Sequence, residues 1–169
     1  FSIKINMPFT LIGSAMNFFL GTSTNSGTGA FVHTWLTPTS GAHCGSSFTM
    51  DVAKGSGLAD RFVGCVITDF SLNSDSTNNI TLTFDGVAQS VTEGVARASV
   101  FSYPATIPGN FSMVNVVVNG SSLSCDSVEL KSSLNYVGDN FKIGSSNIVR
   151  PEFKGIPTLT MKVKTNADS

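Results

Sequence analysis

Hydrophobic and polar residues alternate along most of the chain. Residues 1–7 read Phe-Ser-Ile-Lys-Ile-Asn-Met, and residues 158–164 read Thr-Leu-Thr-Met-Lys-Val-Lys. A period of two is typical of a β-strand that buries one face and exposes the other. The same pattern predicts further strands at 31–37, 47–53, 61–73, 79–87, 96–103, 111–119 and 127–136.

One segment has a different period. Between Pro8 and Gly21, apolar residues recur at spacings of three and four, which indicates an amphipathic α-helix. Thr10 is placed to cap the start of this helix, and Gly21 to end it. We expect its apolar side chains to form a core stripe against a sheet, namely Leu11, Ile12, Ala15, Met16, Phe19 and Leu20.

Many strands and one helix predict the fold class: mainly β, an antiparallel β-sandwich or barrel with one flanking α-helix. Long alternating strands joined by short turns favour antiparallel pairing. The length of 169 residues fits a single domain with one core. Because the chain begins within an alternating segment, we expect native residues before Phe1. The polar residues 165–169 either end the domain or begin a linker that continues after Ser169.

The alternation is clearest in two adjacent predicted strands, 61–73 and 79–87, with residues 75–78 as their turn. One face of this hairpin is expected to be apolar: Phe62, Val66, Phe70, Leu72, Ile80, Leu82 and Phe84. The other is expected to be polar: Asp69, Ser71, Asn73, Thr81, Thr83 and Asp85. The polar face of the hairpin contains acids and no bases. It fits either an ordinary solvated sheet face or the mildly acidic lining of a water-filled channel to which a polyanion would not adhere.

Composition restricts the function classes. Only 12% of residues are charged, the formal net charge is -1, and the ten Lys and Arg residues are scattered. Because the sequence has no basic cluster, we do not expect it to bind nucleic acid, since such binding depends mainly on Lys and Arg that neutralise phosphates. The sparse charge suits a protein that lies against identical copies, and equally a β-rich domain with uncharged turns. No run of 18 apolar residues predicts a membrane span.

Candidate catalytic and metal-binding groups are few. Cys44, Cys65 and Cys125 are too far apart for zinc-type spacing, and their odd number argues against a disulfide framework. His43 and Cys44 are adjacent, but neighbours in an extended segment point to opposite faces. The eleven acids include no spaced pair typical of acid–base catalysis. We therefore expect no enzyme, no metal and no cofactor.

Several segments, in this order, resemble the major tail tube protein of long-tailed (siphovirus-type) bacteriophages. The helix at 10–21 is followed by Gly29-Ala-Phe-Val-His-Thr-Trp35, which resembles the family's aromatic-His-Thr strand. Phe62-Val-Gly-Cys-Val-Ile-Thr-Asp-Phe-Ser-Leu72 resembles its Gly-Cys strand. Residues 46–50, 81–86, 127–135 and 157–161 are similar to further strands, and residues 136–154 depart from the family's pattern.

The resemblance implies a structural virion protein with the phage tail-tube fold. Six copies would close into a ring whose joined sheets form a wall, and stacked rings would form the tail tube that conducts viral DNA into the host cell. The implied partners are other copies, in ring and stacked-ring contacts, the tape-measure protein, and tail terminator and tip proteins. DNA would pass transiently without specific binding, no membrane would be involved, and assembly in the host cytoplasm would place the protein in the virion tail.

Under this hypothesis the six polar hairpin residues line the lumen, although the assignment of the two faces could be inverted. Two other functions fit the same sequence. One is a virion surface or receptor-binding β-sandwich domain that displays loops. The other is the tube protein of a related contractile injection particle.

Overall fold

The computed structural model describes residues 1–8, 11–21, 23–28, 32–36, 45–55, 57–96, 107–137 and 152–165. Within these residues the chain is mainly β, with antiparallel pairing and one α-helix, which confirms the predicted class. The helix is α1 (Ile12–Leu20), and a 3₁₀ turn spans Phe111–Met113. The strands are β1 (Ser2–Asn6), β2 (Thr24–Ser26), β3 (Val32–Thr34), β4 (Phe48–Ala53), β5 (Leu58–Asp75), β6 (Thr81–Val87), β7 (Ser90–Ala96), β8 (Val116–Val118), β9 (Ser121–Leu123), β10 (Ser127–Ser133), β11 (Tyr136–Val137), β12 (Glu152–Phe153) and β13 (Thr158–Lys164).

Five strands form a continuous path that we call the main sheet, in the order β1-β6-β5-β10-β13. Every neighbouring pair along it is antiparallel. Strand β5 has 18 residues, which corresponds to a length of about 60 Å at roughly 3.3 Å per residue. Its second half lies in the main sheet, and its first half pairs with β4 and β7. These three strands form an extension of the main sheet, in which Arg61 and Asp51 make a two-pronged ion pair with both N···O distances at 2.8 Å.

Two irregularities in β5 decide which of its side chains face the core. The register of β5 on β6 shifts between Ile67 and Asp69, so Ile67 and Phe70 both reach the core. A second shift lies beside Gly64, whose φ of 65° is readily available only to glycine. The expectation that Val66 shares a face with Phe70 is therefore wrong: Val66 is buried outside that core cluster, and Ile67 takes its place.

Helix α1 packs on the apolar face of the main sheet. Phe19 is fully buried, with its ring centroid 5.7 Å from that of Phe70. The buried core comprises Met7, Phe19, Ile67, Phe70, Ile80, Leu82, Phe84 and Leu134, and the helix residues packed against it are Ile12, Ala15, Met16 and Leu20. Leu11 is 36% exposed and holds the N-cap position without a side-chain cap, while Thr10 lies outside the described residues. Gly21 ends the helix, with its N–H donated to the Asn17 carbonyl.

The remaining predicted strands are only partly correct. Segment 111–119 is not one strand, because the 3₁₀ turn precedes β8 and the Asn119-Gly120 turn joins β8 to β9. Strand β7 was not predicted, and most of segment 96–103 lies outside the described residues. Segment 127–136 divides into β10 and the start of β11, and only 32–34 of segment 31–37 forms the described β3.

Candidate assembly surface

The six polar hairpin residues lie side by side on the face of the main sheet opposite α1. The register of β5 on β6 sets them in three facing pairs: Asp69 with Asp85, Ser71 with Thr83, and Asn73 with Thr81. Residues directly opposite each other in an antiparallel pair share a face. The turn that precedes Ile80 is held by Asp75, whose carboxylate accepts hydrogen bonds from the Thr77 N–H and hydroxyl and from the Asn78 amide.

The neighbouring strands continue this polar face across the whole main sheet. Direct register partners carry it from β6 to β1, from β5 to β10 and from β10 to β13. The face, which we call the channel face, then comprises Ser2, Lys4, Asn6, Asp69, Ser71, Asn73, Asp75, Thr81, Thr83, Asp85, Ser127, Glu129, Lys131, Ser133, Thr158, Thr160, Lys162 and Lys164. Every one of these positions is hydroxylic, amidic or charged.

The charges on the channel face balance. Four carboxylates, Asp69, Asp75, Asp85 and Glu129, stand against four ammonium groups, Lys4, Lys131, Lys162 and Lys164, so the formal sum is zero. The mildly acidic character expected from the hairpin alone does not extend to the whole sheet. The reason is topological: β1, β10 and β13 are remote from the hairpin in sequence and contribute all four lysines.

Ion pairs tie part of this charge together. The Lys131 ammonium lies 2.7 Å from one Glu129 oxygen, and the Lys162 ammonium lies 3.5 Å from the other. The hydrogen bond from Lys131 is the main cause that lowers the pKa of Glu129, and the Lys162 charge acts in the same direction. Hydrogen bonds from Asn78 and Thr77 lower the pKa of Asp75 to about 2. Both acids therefore stay ionised over the neutral range.

The opposite face of the main sheet is apolar and only partly covered by α1. A groove of about 530 Å³ lies between the helix and strands β10 and β13, with Met16, Trp35 and Leu130 among its lining residues. Trp35 is fixed there by its indole N–H, which donates to the Asn17 side-chain oxygen at 2.9 Å. Leu159, which also lines the groove, is 71% exposed, and Met161 on the same strand is 53% exposed.

The two outer strands of the main sheet, β1 and β13, each have a partner on one side only within the described part of the chain. Their other sides present backbone N–H and C=O groups that no described strand satisfies. Such edges are templates for pairing with another chain.

In a comparison with protein-family sequence models, residues 1–167 match the family described as Phage tail tube protein. The chain belongs to the phage tail tube protein family. Tail tube proteins are structural components of the virion tail that assemble with themselves into a tube, which implies a non-enzymatic role for this chain. A search of curated proteins found no match.

The groups considered for catalysis have no active-site arrangement in the tail tube chain as far as it is described. Cys65 is fully buried, and burial raises the pKa of its thiol, which disfavours the reactive thiolate. His43 and Cys44 lie outside the described residues. Among the described residues no three His, Cys, Asp or Glu side chains cluster as metal ligands, and no described helix is long and apolar enough to cross a membrane.

Proposed function

We propose that this tail tube protein closes into rings of six with the channel face turned inward, and that stacked rings conduct the viral genome into the host. One observation carries the proposal: within the described residues, the main sheet has a wholly polar face that ends on each side at a strand with one unpaired edge. If the β1 edge of one copy joined the β13 edge of the next around an axis, the backbone groups of both edges would be hydrogen-bonded, and a contact that closes by rotation gives a ring.

The width of the sheet supports six copies. Five strands at a spacing of about 4.8 Å make a wall segment about 24 Å wide in each copy. Six segments give a perimeter of about 144 Å and about 46 Å between opposite backbones, which leaves room for a DNA duplex inside the side chains. Three segments would give only about 23 Å, which inward-facing side chains would largely fill.

The chemistry of the channel face supports passage of DNA without specific binding. Proteins hold DNA mainly by neutralising phosphates with Lys and Arg. Here each lysine is offset by a carboxylate on the same face, and Glu129 already contacts two of them. We therefore assign the predicted residues Asp69, Ser71, Asn73, Thr81, Thr83 and Asp85 to the lumen.

The apolar face would then point outward from the axis, with α1 as the outer layer. Assembly in the host cytoplasm would need a length-setting partner and proteins that close the two tube ends, so we extend the proposal to a tape-measure protein and to terminator and tip proteins. The siphovirus-type tail suggested by the sequence is part of the same proposal.

Negative-stain microscopy and light scattering of the purified protein at rising concentration test the ring. We expect hollow tubes or six-membered rings. Lys4→Glu tests whether the channel face lines the lumen. The substitution changes the charge of this face by two units per copy and leaves the core untouched. A protein that stays monomeric or trimeric at every concentration would contradict the proposed function and favour a surface-displayed domain.

A further inference from the structure

We infer that neighbouring copies join β1 of one chain to β13 of the next as parallel strands. This inference rests on the proposed ring and adds the identity and direction of the two strands at its junction. The occupant of each free edge is thus the opposite edge of a second copy of this chain. Three features of the main sheet support it: the direction of its strands, the phase of its backbone hydrogen bonds, and the exposure of its apolar side chains.

The direction follows from the number of strands. Four antiparallel steps lead from β1 through β6, β5 and β10 to β13, so the first and last strands run the same way. Rotation about the ring axis does not change the axial direction of a strand. The β1 strand of the next copy therefore runs parallel to the β13 strand that it approaches.

The hydrogen bonds of β1 define its free side. The Gly86 N–H donates to the Phe1 carbonyl, and the Met7 N–H donates to the Ile80 carbonyl. Because hydrogen-bonded pairs alternate in an antiparallel ladder, the odd-numbered residues of β1 bond to β6. The N–H and C=O groups of Ser2, Lys4 and Asn6, whose side chains lie on the channel face, therefore point to the free edge.

The same reasoning defines the free side of β13. The Ser76 N–H donates to the Asp126 carbonyl, and the Leu134 N–H donates to the Thr68 carbonyl, so the even-numbered residues of β10 bond to β5. Its odd-numbered residues then bond to Thr158, Thr160, Lys162 and Lys164. The outward N–H and C=O groups of β13 are those of Leu159, Met161 and Val163, whose side chains lie on the apolar face.

Given which residues of β1 and β13 direct their backbone groups to the free edges, only a parallel junction keeps the channel face and the apolar face continuous between copies. In an antiparallel junction, residues whose backbone groups point across it stand opposite one another on the same face. Lys4 would then stand beside an apolar residue such as Met161. In a parallel junction, Lys4 bonds to two residues that flank its neighbour, for example Leu159 and Met161, and stands beside Thr160. The channel face then continues from copy to copy.

The apolar side chains at the two edges support the same pairing. Ile5 is 37% exposed at the edge formed by β1, and Leu159 and Met161 are more than half exposed at the edge formed by β13. A parallel junction places Ile3 and Ile5 next to Leu159 and Met161. Burial of their apolar surface there would favour the junction.

Paired cysteines test the direction without assuming a register. One substitution in β1, from Ser2→Cys, Lys4→Cys and Asn6→Cys, is combined with one in β13, from Thr158→Cys, Thr160→Cys, Lys162→Cys and Lys164→Cys. The background carries Cys44→Ser and Cys125→Ser and keeps the buried Cys65. Assembled protein is oxidised and run on a non-reducing denaturing gel. Each single-cysteine variant is its matched control, and microscopy of every sample records whether tubes form.

We expect ladders of linked chains in which the preferred partner position rises by two with each step from Ser2 to Lys4 to Asn6. A partner position that falls along that series would show an antiparallel junction and overturn the inference. Tubes without any link between β1 and β13 would also overturn it, while the proposed tube function would stand. If no rings or tubes form with the unmodified chain, the inference and the proposed function both fail.

Discussion

Gly86 lies where β6 pairs with the irregular part of β5, and its surroundings leave no room for a β-carbon. An ideal β-carbon on Gly86 would lie 2.2 Å from the Val66 carbonyl oxygen, and real ones stay beyond 3.0 Å. Because Val66 contributes a backbone atom in a paired strand, rotation of a side chain cannot relieve the clash. The Gly86→Ala substitution must therefore separate β5 from β6 by about 1 Å.

The expected cost can be estimated from two effects. Overpacking of a well-filled site costs about 1–3 kcal/mol, and a rigid backbone neighbour favours the upper end of that range. Separation of the strands also weakens the backbone hydrogen bonds between β5 and β6 next to Gly86, each of which contributes about 1 kcal/mol. We expect a loss of about 3 kcal/mol in the free energy of unfolding.

Gly13 provides the matched control. It lies within α1, and a β-carbon there would meet no atom within 4 Å. Gly13→Ala should therefore stabilise the protein through helix propensity, by up to about 1 kcal/mol because Gly13 lies in the first turn. Urea unfolding followed by circular dichroism, at a concentration where the protein is unassembled, measures both changes. A loss below 1 kcal/mol for Gly86→Ala, or the same sign for both variants, would refute the reasoning.

Three further outcomes follow from the channel face and its edges. Lys4→Pro removes a backbone N–H at the free edge of β1 that does not bond to β6, so microscopy should show no tubes while the circular dichroism spectrum is unchanged. Lys4→Thr keeps this N–H and should still assemble. Equal assembly of the two variants would contradict the role of the β1 edge. The pKa of Asp75 is about 2, below the ordinary 3.8 of an aspartate, so its contribution to stability is complete above about pH 4 and is lost as pH falls through 2. Unfolding of Asp75→Asn should consequently depend less on pH between 4 and 2, and an unchanged profile would count against the turn. Asp85→Asn gives each channel face one net positive charge, so tubes of this variant should retain duplex DNA at low salt in a filter-binding assay. Glu93→Gln changes a residue of the extension and should retain as little DNA as the unmodified protein. Equal DNA retention by the two variants would argue against an inward channel face.

The sequence predicted elements whose signal is local. Side-chain alternation is a property of a single strand, so it identified β1, β13 and the polar side of the central hairpin. It could not identify the shifts near Gly64 and between Ile67 and Asp69, because a bulge is defined by the partner strand. For that reason alternation alone places Val66 on the face that Ile67 occupies.

Two other differences have specific causes. Alternation gave the faces of β1, β10 and β13 but not their order in the sheet, so the four lysines could not be assigned to the same surface as the hairpin acids. The valines of segment 111–119 predict one strand, although Asn119-Gly120 is a strong two-residue turn signal. Both residues have positive φ, 51° and 82°, as such a turn requires.

The balanced charges of the channel face have a consequence for a tube that turns this face inward. Along the perimeter, the aspartates of β5 and β6 alternate with the lysines of β1 and β13. The potential of alternating charges cancels within a distance comparable to their spacing, and salt shortens its range further. A genome near the axis would therefore move through an almost field-free bore. DNA close to the wall would lie beside attractive lysines and repulsive carboxylates in turn, so no single position on the wall would bind it strongly.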